Sequence, residues 1–113
     1  MAEADSECLF CKIVKGKIVA NKKEHEDDAC VVIHDIHPQA PLHLLIIGKR
    51  HGVELAVVDD DHLGAMLKVA KKMIEEKNMG FSYRLTINGG RATMVSNHLH
   101  IHLLGGVNSE RSI

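Results

Sequence analysis

Three histidines alternate with leucine and isoleucine near the end of this chain, as His98-Leu99-His100-Ile101-His102-Leu103-Leu104. Successive side chains of an extended segment point to opposite faces, so His98, His100 and His102 share one face while Leu99, Ile101 and Leu103 share the other. The Cα atoms of neighbouring histidines on such a face stand about 6.6 Å apart, a spacing at which two imidazoles grip one phosphate-sized oxyanion. Imidazole serves near neutrality as nucleophile, as acid or base, or as a charged hydrogen-bond donor. Alternating histidines can also share one zinc ion, and spacing alone leaves both chemistries open. With nine histidines in 113 residues, chance supplies the triplet only about 0.05 times, so it is read here as chemistry.

Other reactive residues admit plainer roles. Cys8-x-x-Cys11 is half of a zinc site by spacing, but no second cysteine pair follows, and the favoured reading is two small residues buried on a helix. Cys30, within the apolar run Ala29 to Ile33, is expected in the core. His34 and His37 flank Asp35 in a loop, where histidine faces either a ligand or solvent. His25 and His62 are expected at the surface. Asp59-Asp60-Asp61 are expected to cap a helix rather than hold a metal. Asn88-Gly89-Gly90 reads as a turn or as a phosphate nest.

These residues need elements to position them. Leu9, Phe10, Ile13 and Val14 recur at helical spacing and Gly16 stops them, which predicts a short helix within Glu7 to Gly16. Asn21 to Asp28 predicts an edge strand or extended loop, Ala29 to Ile33 a buried strand, and Leu42 to Ile47 another beyond the Pro38-Gln-Ala-Pro41 break. Leu63, Met66, Leu67, Ala70, Met73 and Ile74 form one apolar stripe of a long helix from Asp59 to Lys77, with Gly80 available as a left-handed cap. Tyr83 to Asn88 alternates as a half-buried strand, and His98 to Leu104 is the last. Short helix, strands, long helix, strands is an α+β order with a mainly antiparallel sheet.

Composition bounds the function. A chain of 113 residues makes one domain, 1–113, with residues 1–6 expected to be flexible and 107–113 a C-terminal tail. A net charge of -1 provides no broad basic field for long nucleic acids, and aromatics at 3% provide no stacking platform for single strands. No apolar run approaches the ~18 residues of a membrane span, and the acidic start does not read as a signal peptide, so no membrane partner and a cytoplasmic location are expected. Three cysteines, an odd number, imply reduced thiols.

His98-Leu-His100-Ile-His102-Leu-Leu resembles the signature of the histidine-triad (HIT) family. Cys8-Leu-Phe-Cys11-Lys-Ile, His34-Asp35-Ile36, Pro38-Gln-Ala-Pro41 with His43, Asn88 and Leu104-Gly105-Gly106 extend the resemblance over Cys8 to Gly106, towards the Hint branch of nucleoside phosphoramidate hydrolases. It implies a HIT-like α+β fold, a five-stranded mainly antiparallel sheet with one long and one short helix, and a homodimer joined near the long helix and the Tyr83 to Asn88 strand.

The resemblance also implies roles. His100 would attack the phosphorus of a purine nucleoside 5'-phosphoramidate, expel the amine and form a nucleotidyl-histidine that water hydrolyses to the nucleoside monophosphate. His102 would donate to a phosphoryl oxygen, with His98 and His43 ordering the triad. Asp35 would accept from the ribose hydroxyls, Asn88 would contact phosphate or ribose, His34 would border the nucleotide, and Phe10, Ile13, Ile33 and Ile36 would sandwich the base. No metal is required for this chemistry, although some such members hold a structural zinc, which here would use Cys8, Cys11, His51 and His98, away from His100. Met94 to Asn97 departs from the family pattern before the first triad histidine, Ile33 stands where an aromatic is common, and the tail lacks tryptophan. The alternatives are a nucleotide-binding or adaptor protein with little turnover, and a zinc-dependent hydrolase using the triad.

Overall fold

Strands β2 (Cys30–His34), β3 (Leu42–Gly48) and β5 (His100–Gly105) bury most of both faces, which is why they read as nearly unbroken apolar runs. They form the centre of the computed structural model, which describes residues 8–16, 22–51, 53–89 and 98–106. The readings made above for residues 1–6, Gly90, Met94 to Asn97 and 107–113 lie outside the described residues. Helix α1 (Leu9–Val14) and strand β1 (Lys23–Glu26) precede them, and α2 (Asp60–Glu76) and β4 (Tyr83–Thr86) stand between β3 and β5. The order across the sheet is β1-β2-β3-β5-β4, with every neighbouring pair antiparallel. This is the expected α+β architecture of five strands, one long helix and one short.

Strand alternation divides the core. Cys30, Val32, Leu44, Ile46, Ile101 and Leu103 face α2, meeting Met66, Val69, Ala70 and Met73. Val31, Ile33, Leu45 and Ile47 face the other way and are covered by Phe10, Cys8 and Cys11 of the α1 segment. His100 and His102 share this second face, opposite Ile47 and Leu45. The triad therefore stands on a wall of the second core while its apolar partners anchor the first. Cys30 is fully buried, and that burial pushes its thiol up to about 12, as suits a core residue.

The elements differ from expectation in instructive ways. Asp59 caps α2 by accepting from the His62 N–H at 2.8 Å, as its position predicted. The buried stripe of α2, however, is His62, Met66, Val69, Ala70 and Met73, and Leu67 is 37% exposed. Met66, Ala70 and Met73 are common to both sets and the predicted Leu63 and Ile74 pack partly buried against the core, while His62 and Val69 join the stripe. A Cβ on Gly48 would meet His62 Nε2 at 3.0 Å, so only glycine gives the ring room, and His62 is buried rather than at the surface. His25 is likewise half-buried, its Nε2 2.8 Å from Asp27. The left-handed residue beyond α2 is Asn78, φ 55, in place of Gly80, because the chain turns two residues sooner.

Strand β1 carries a bulge between Lys23 and His25. The extra residue, Glu24, reaches Lys77 at 2.7 Å and His34 at 2.5 Å, tying the edge strand to the end of α2. Lys77, then His34, hold the Glu24 carboxyl down at about 2.

Candidate active site

Strand β5 begins at His100, two residues later than the pattern predicted. His98 lies just before it in an isolated parallel bridge with Val53. Its Nε2 lies 2.7 Å from the Gly48 carbonyl and its Nδ1 3.3 Å from Cys8 Sγ and 3.5 Å from Cys11 Sγ. His51 Nδ1 is 3.2 Å from Cys11 Sγ, and donors from all four residues fall within 4.8 Å of one another. Cys8 and Cys11 are buried at the head of α1, as read from their spacing, and the fold adds His51 and His98 beside them, the set the resemblance implied.

These four residues fit a zinc ion. Tetrahedral coordination with Zn–S near 2.3 Å and Zn–N near 2.05 Å places sulfur and nitrogen about 3.5 Å apart, close to the separations seen. A neutral His98 that donates Nε2–H to Gly48 leaves Nδ1 deprotonated and aimed at the sulfurs, the orientation a ligand needs. His100 is not among the four, as expected, yet it packs next to them. The His98 carbonyl is 2.9 Å from His100 Nδ1, and Phe10 meets both rings edge-on, with centroids 5.6 and 4.7 Å away.

That carbonyl fixes His100. A carbonyl only accepts, so His100 Nδ1 carries the hydrogen and Nε2 keeps its lone pair, the tautomer of a nucleophile. His102 is fixed through a longer path. The Pro38-Gln-Ala-Pro41 loop brings the Gln39 N–H to His43 Nδ1 at 3.0 Å, which places the His43 hydrogen on Nε2. That N–H points at His102 Nδ1, 2.9 Å away, leaving the His102 hydrogen on Nε2. The two catalytic candidates thus differ: His100 offers an electron pair and His102 a donor, with ring centroids 5.3 Å apart.

Burial pushes the pKa of His43 and His102 below the ordinary imidazole value, and for His102 the neighbouring His100 and His43 add to it; the Asp35 carboxylate opposes the shift in both. Burial likewise lowers His98, with its Gly48 bond opposing. The triad does not surround one metal. Among the described residues His98 groups with the cysteines, and His102 with His43 and Asp35, where the His43 nitrogen facing the group is hydrogen-bearing.

The expected nucleotide contacts divide. His34, Asp35, Ile36 and His43, with Lys22, Pro38 and Pro41, line an open cavity of about 440 Å³. Ile36 is 68% exposed there, whereas Phe10, Ile13 and Ile33 pack in the second core beside the triad. His34 Nε2 is taken by Glu24 while the residue borders the cavity. Asn88 lies two residues beyond Thr86, the partner of His102 and the last residue of β4. Gly106, φ 74, is needed where the chain leaves β5, since a Cβ would meet Pro41 Cγ at 3.3 Å. Sequence reading missed the Gln39 N–H, whose signal was the fixed length of the Pro-Gln-Ala-Pro loop, and the Gly48 carbonyl, which had none.

The chain resembles known proteins over most of its length. The 14 kDa zinc-binding protein of Zea mays is 40% identical over 108 residues, covering 90% of this chain and 84% of that protein. The adenosine 5'-monophosphoramidase HNT1 of Candida albicans is 40% identical over 105 residues, covering 86% and 68%. The crystal structure of a HIT family hydrolase from Legionella pneumophila superposes with a TM-score of 0.81 at 40% identity, covering 90% of this chain and 95% of that one. The HIT domain family model matches residues 19–109, and with the triad on β5 this chain belongs to the HIT family.

Proposed function

We propose that the protein hydrolyses purine nucleoside 5'-phosphoramidates through a nucleotide carried on His100. The observation that carries this reading is the opposed tautomers of neighbouring rings, a lone pair on His100 Nε2 beside an N–H on His102. The His100 nitrogen attacks phosphorus, the P–N bond breaks as its nitrogen takes a proton from solvent, and the neutral amine leaves with the nucleotide now on His100. His102 donates to a phosphoryl oxygen as negative charge builds there. Water then cleaves the nucleotidyl-histidine bond, releasing the monophosphate and restoring the imidazole. Burial supports the role of His102, because a lowered pKa favours the neutral ring whose single hydrogen its His43 contact leaves on Nε2.

The cavity beside His43 is assigned to the nucleoside, with Asp35 accepting from ribose hydroxyls and Ile36 against the base. Zinc at Cys8, Cys11, His51 and His98 would supply a crosslink between α1, the chain after β3 and the head of β5; the name of the maize relative supports it. Reaction at phosphorus is assigned to the imidazoles. The functional unit is proposed to be a homodimer, and its location the cytoplasm.

The test is AMP release from adenosine 5'-phosphoramidate by wild type and His100→Ala, with AMP binding followed by calorimetry. Release lost in the variant while AMP still binds is the expected result. Binding without release by wild type would shift the reading to a nucleotide-binding protein.

A further inference from the structure

Asp35 directs its two carboxylate oxygens to different places. Oδ1 accepts from the His37 N–H at 2.8 Å and holds the loop after β2 in a turn. Oδ2 lies 3.4 Å from His43 Nε2, the nitrogen that also stands 2.9 Å from His102 Nδ1. Across the ring the Gln39 N–H occupies His43 Nδ1. One imidazole thus has a donor fixed on one side and two acceptors on the other.

We propose that Asp35 is a positioning residue for the triad: with the Gln39 N–H it fixes the His43 hydrogen on Nε2, and through His43 it holds His102 as an Nε2–H donor. This role is separate from any contact of Asp35 with ribose, and its catalytic consequence rests on the function proposed above. His43 is buried, so water is poorly placed to substitute for the carboxylate. The charged or titratable groups facing His102 are His43, His100 and Asp35, and only Asp35 is negative.

Asp35→Asn isolates the effect. The amide oxygen can keep the His37 bond, which leaves its NH2 facing the His43 N–H, a donor against a donor. His43 must then separate from the amide or move its hydrogen to Nδ1, against the Gln39 N–H. Either response loosens the hold on His102.

Nitrogen-15 NMR of the histidine rings reads the tautomers directly. The wild-type protein is expected to carry hydrogen on Nε2 of both His43 and His102, and Asp35→Asn to show an altered tautomer population at His102. A wild-type hydrogen on His43 Nδ1, or unchanged rings in the variant, overturns the proposal. Kinetics separate this role from ribose binding. Asp35→Asn should slow release of AMP from adenosine 5'-phosphoramidate and of 2',3'-dideoxyadenosine 5'-monophosphate from the corresponding dideoxy 5'-phosphoramidate, each by roughly 10- to 100-fold. A loss confined to the ribose substrate overturns it. If wild type turns over neither compound, the proposed function fails, while the NMR arm still decides the role of Asp35.

Discussion

At the scale of single residues, the far nitrogen of each imidazole decides its work. Gly48 turns His98 towards the sulfurs, the His98 carbonyl opens His100, and Gln39 closes His43. His62 shows what happens where no such partner exists: it is 5% exposed and, among the described residues, its Nε2 has no hydrogen-bond partner. Burial first, then Arg50, lowers its pKa, with Asp59 opposing. A histidine depressed in the folded state leaves the unfolded chain binding more protons below the ordinary imidazole value. The stability it leaves intact above about pH 6.5 is therefore lost as pH falls. His62→Leu removes both the orphaned nitrogen and that proton uptake. It is expected to raise unfolding free energy by about 1 kcal/mol at pH 7, and by more at pH 5.5, in urea titrations. An equal or lower stability at both pH values would show that the ring is satisfied where it sits.

At the scale of elements, the Cys8–Cys11 segment and the head of β5 are separate pieces of chain joined by a cluster of side chains. Helix α1 has only six residues, too few to hold itself in place by backbone bonds alone. Zinc binding should supply much of its docking, so Cys11→Ala is expected to lose the metal by elemental analysis and to lower the thermal midpoint by several degrees. Excess chelator should bring wild type down towards the variant; a difference that survives chelation would assign the loss to packing instead. A second element prediction concerns the seat of His62. Gly48→Ala puts a methyl 3.0 Å from His62 Nε2 and 3.4 Å from the Leu99 carbonyl, and should cost about 1 to 3 kcal/mol by urea titration. Elements with strong periodicity were legible in the sequence: β2, β3 and α2 lie where their apolar runs placed them, and the triad faces one way because strands alternate. What escaped was contact between distant pieces of chain. By spacing alone Cys8 and Cys11 pattern like core residues, and only the family resemblance named His51 and His98 beside them; the bridge of His98 to Val53, about 45 residues earlier, left no signal. The seat of His62 depends on a glycine in β3, which no helical pattern records.

At the scale of the whole molecule, apolar surface remains uncovered. Phe81 is 84% exposed and Tyr83 48%, on and before the edge strand β4, and α2 presents Leu67 to solvent. The outer edge of β4 has no strand partner among the described residues, and an open edge beside exposed aromatics is a surface on which a second copy can add its own strand. No described helix is long and apolar enough to cross a membrane. Burying these rings at about 25 cal/mol per Å² favours association. Phe81→Glu places a charge at that surface, where its partner across a two-fold axis would carry the same charge. In sedimentation, wild type is expected to run as twice the 12.5 kDa chain and the variant as one chain. A monomeric wild type at tens of micromolar would refute the dimer. Dissociation should also reach the site, because Thr86 of β4 pairs directly with His102 and a braced β4 steadies the donor. The monomeric variant is therefore expected to release AMP more slowly than wild type, with the deficit growing on dilution of any residual dimer.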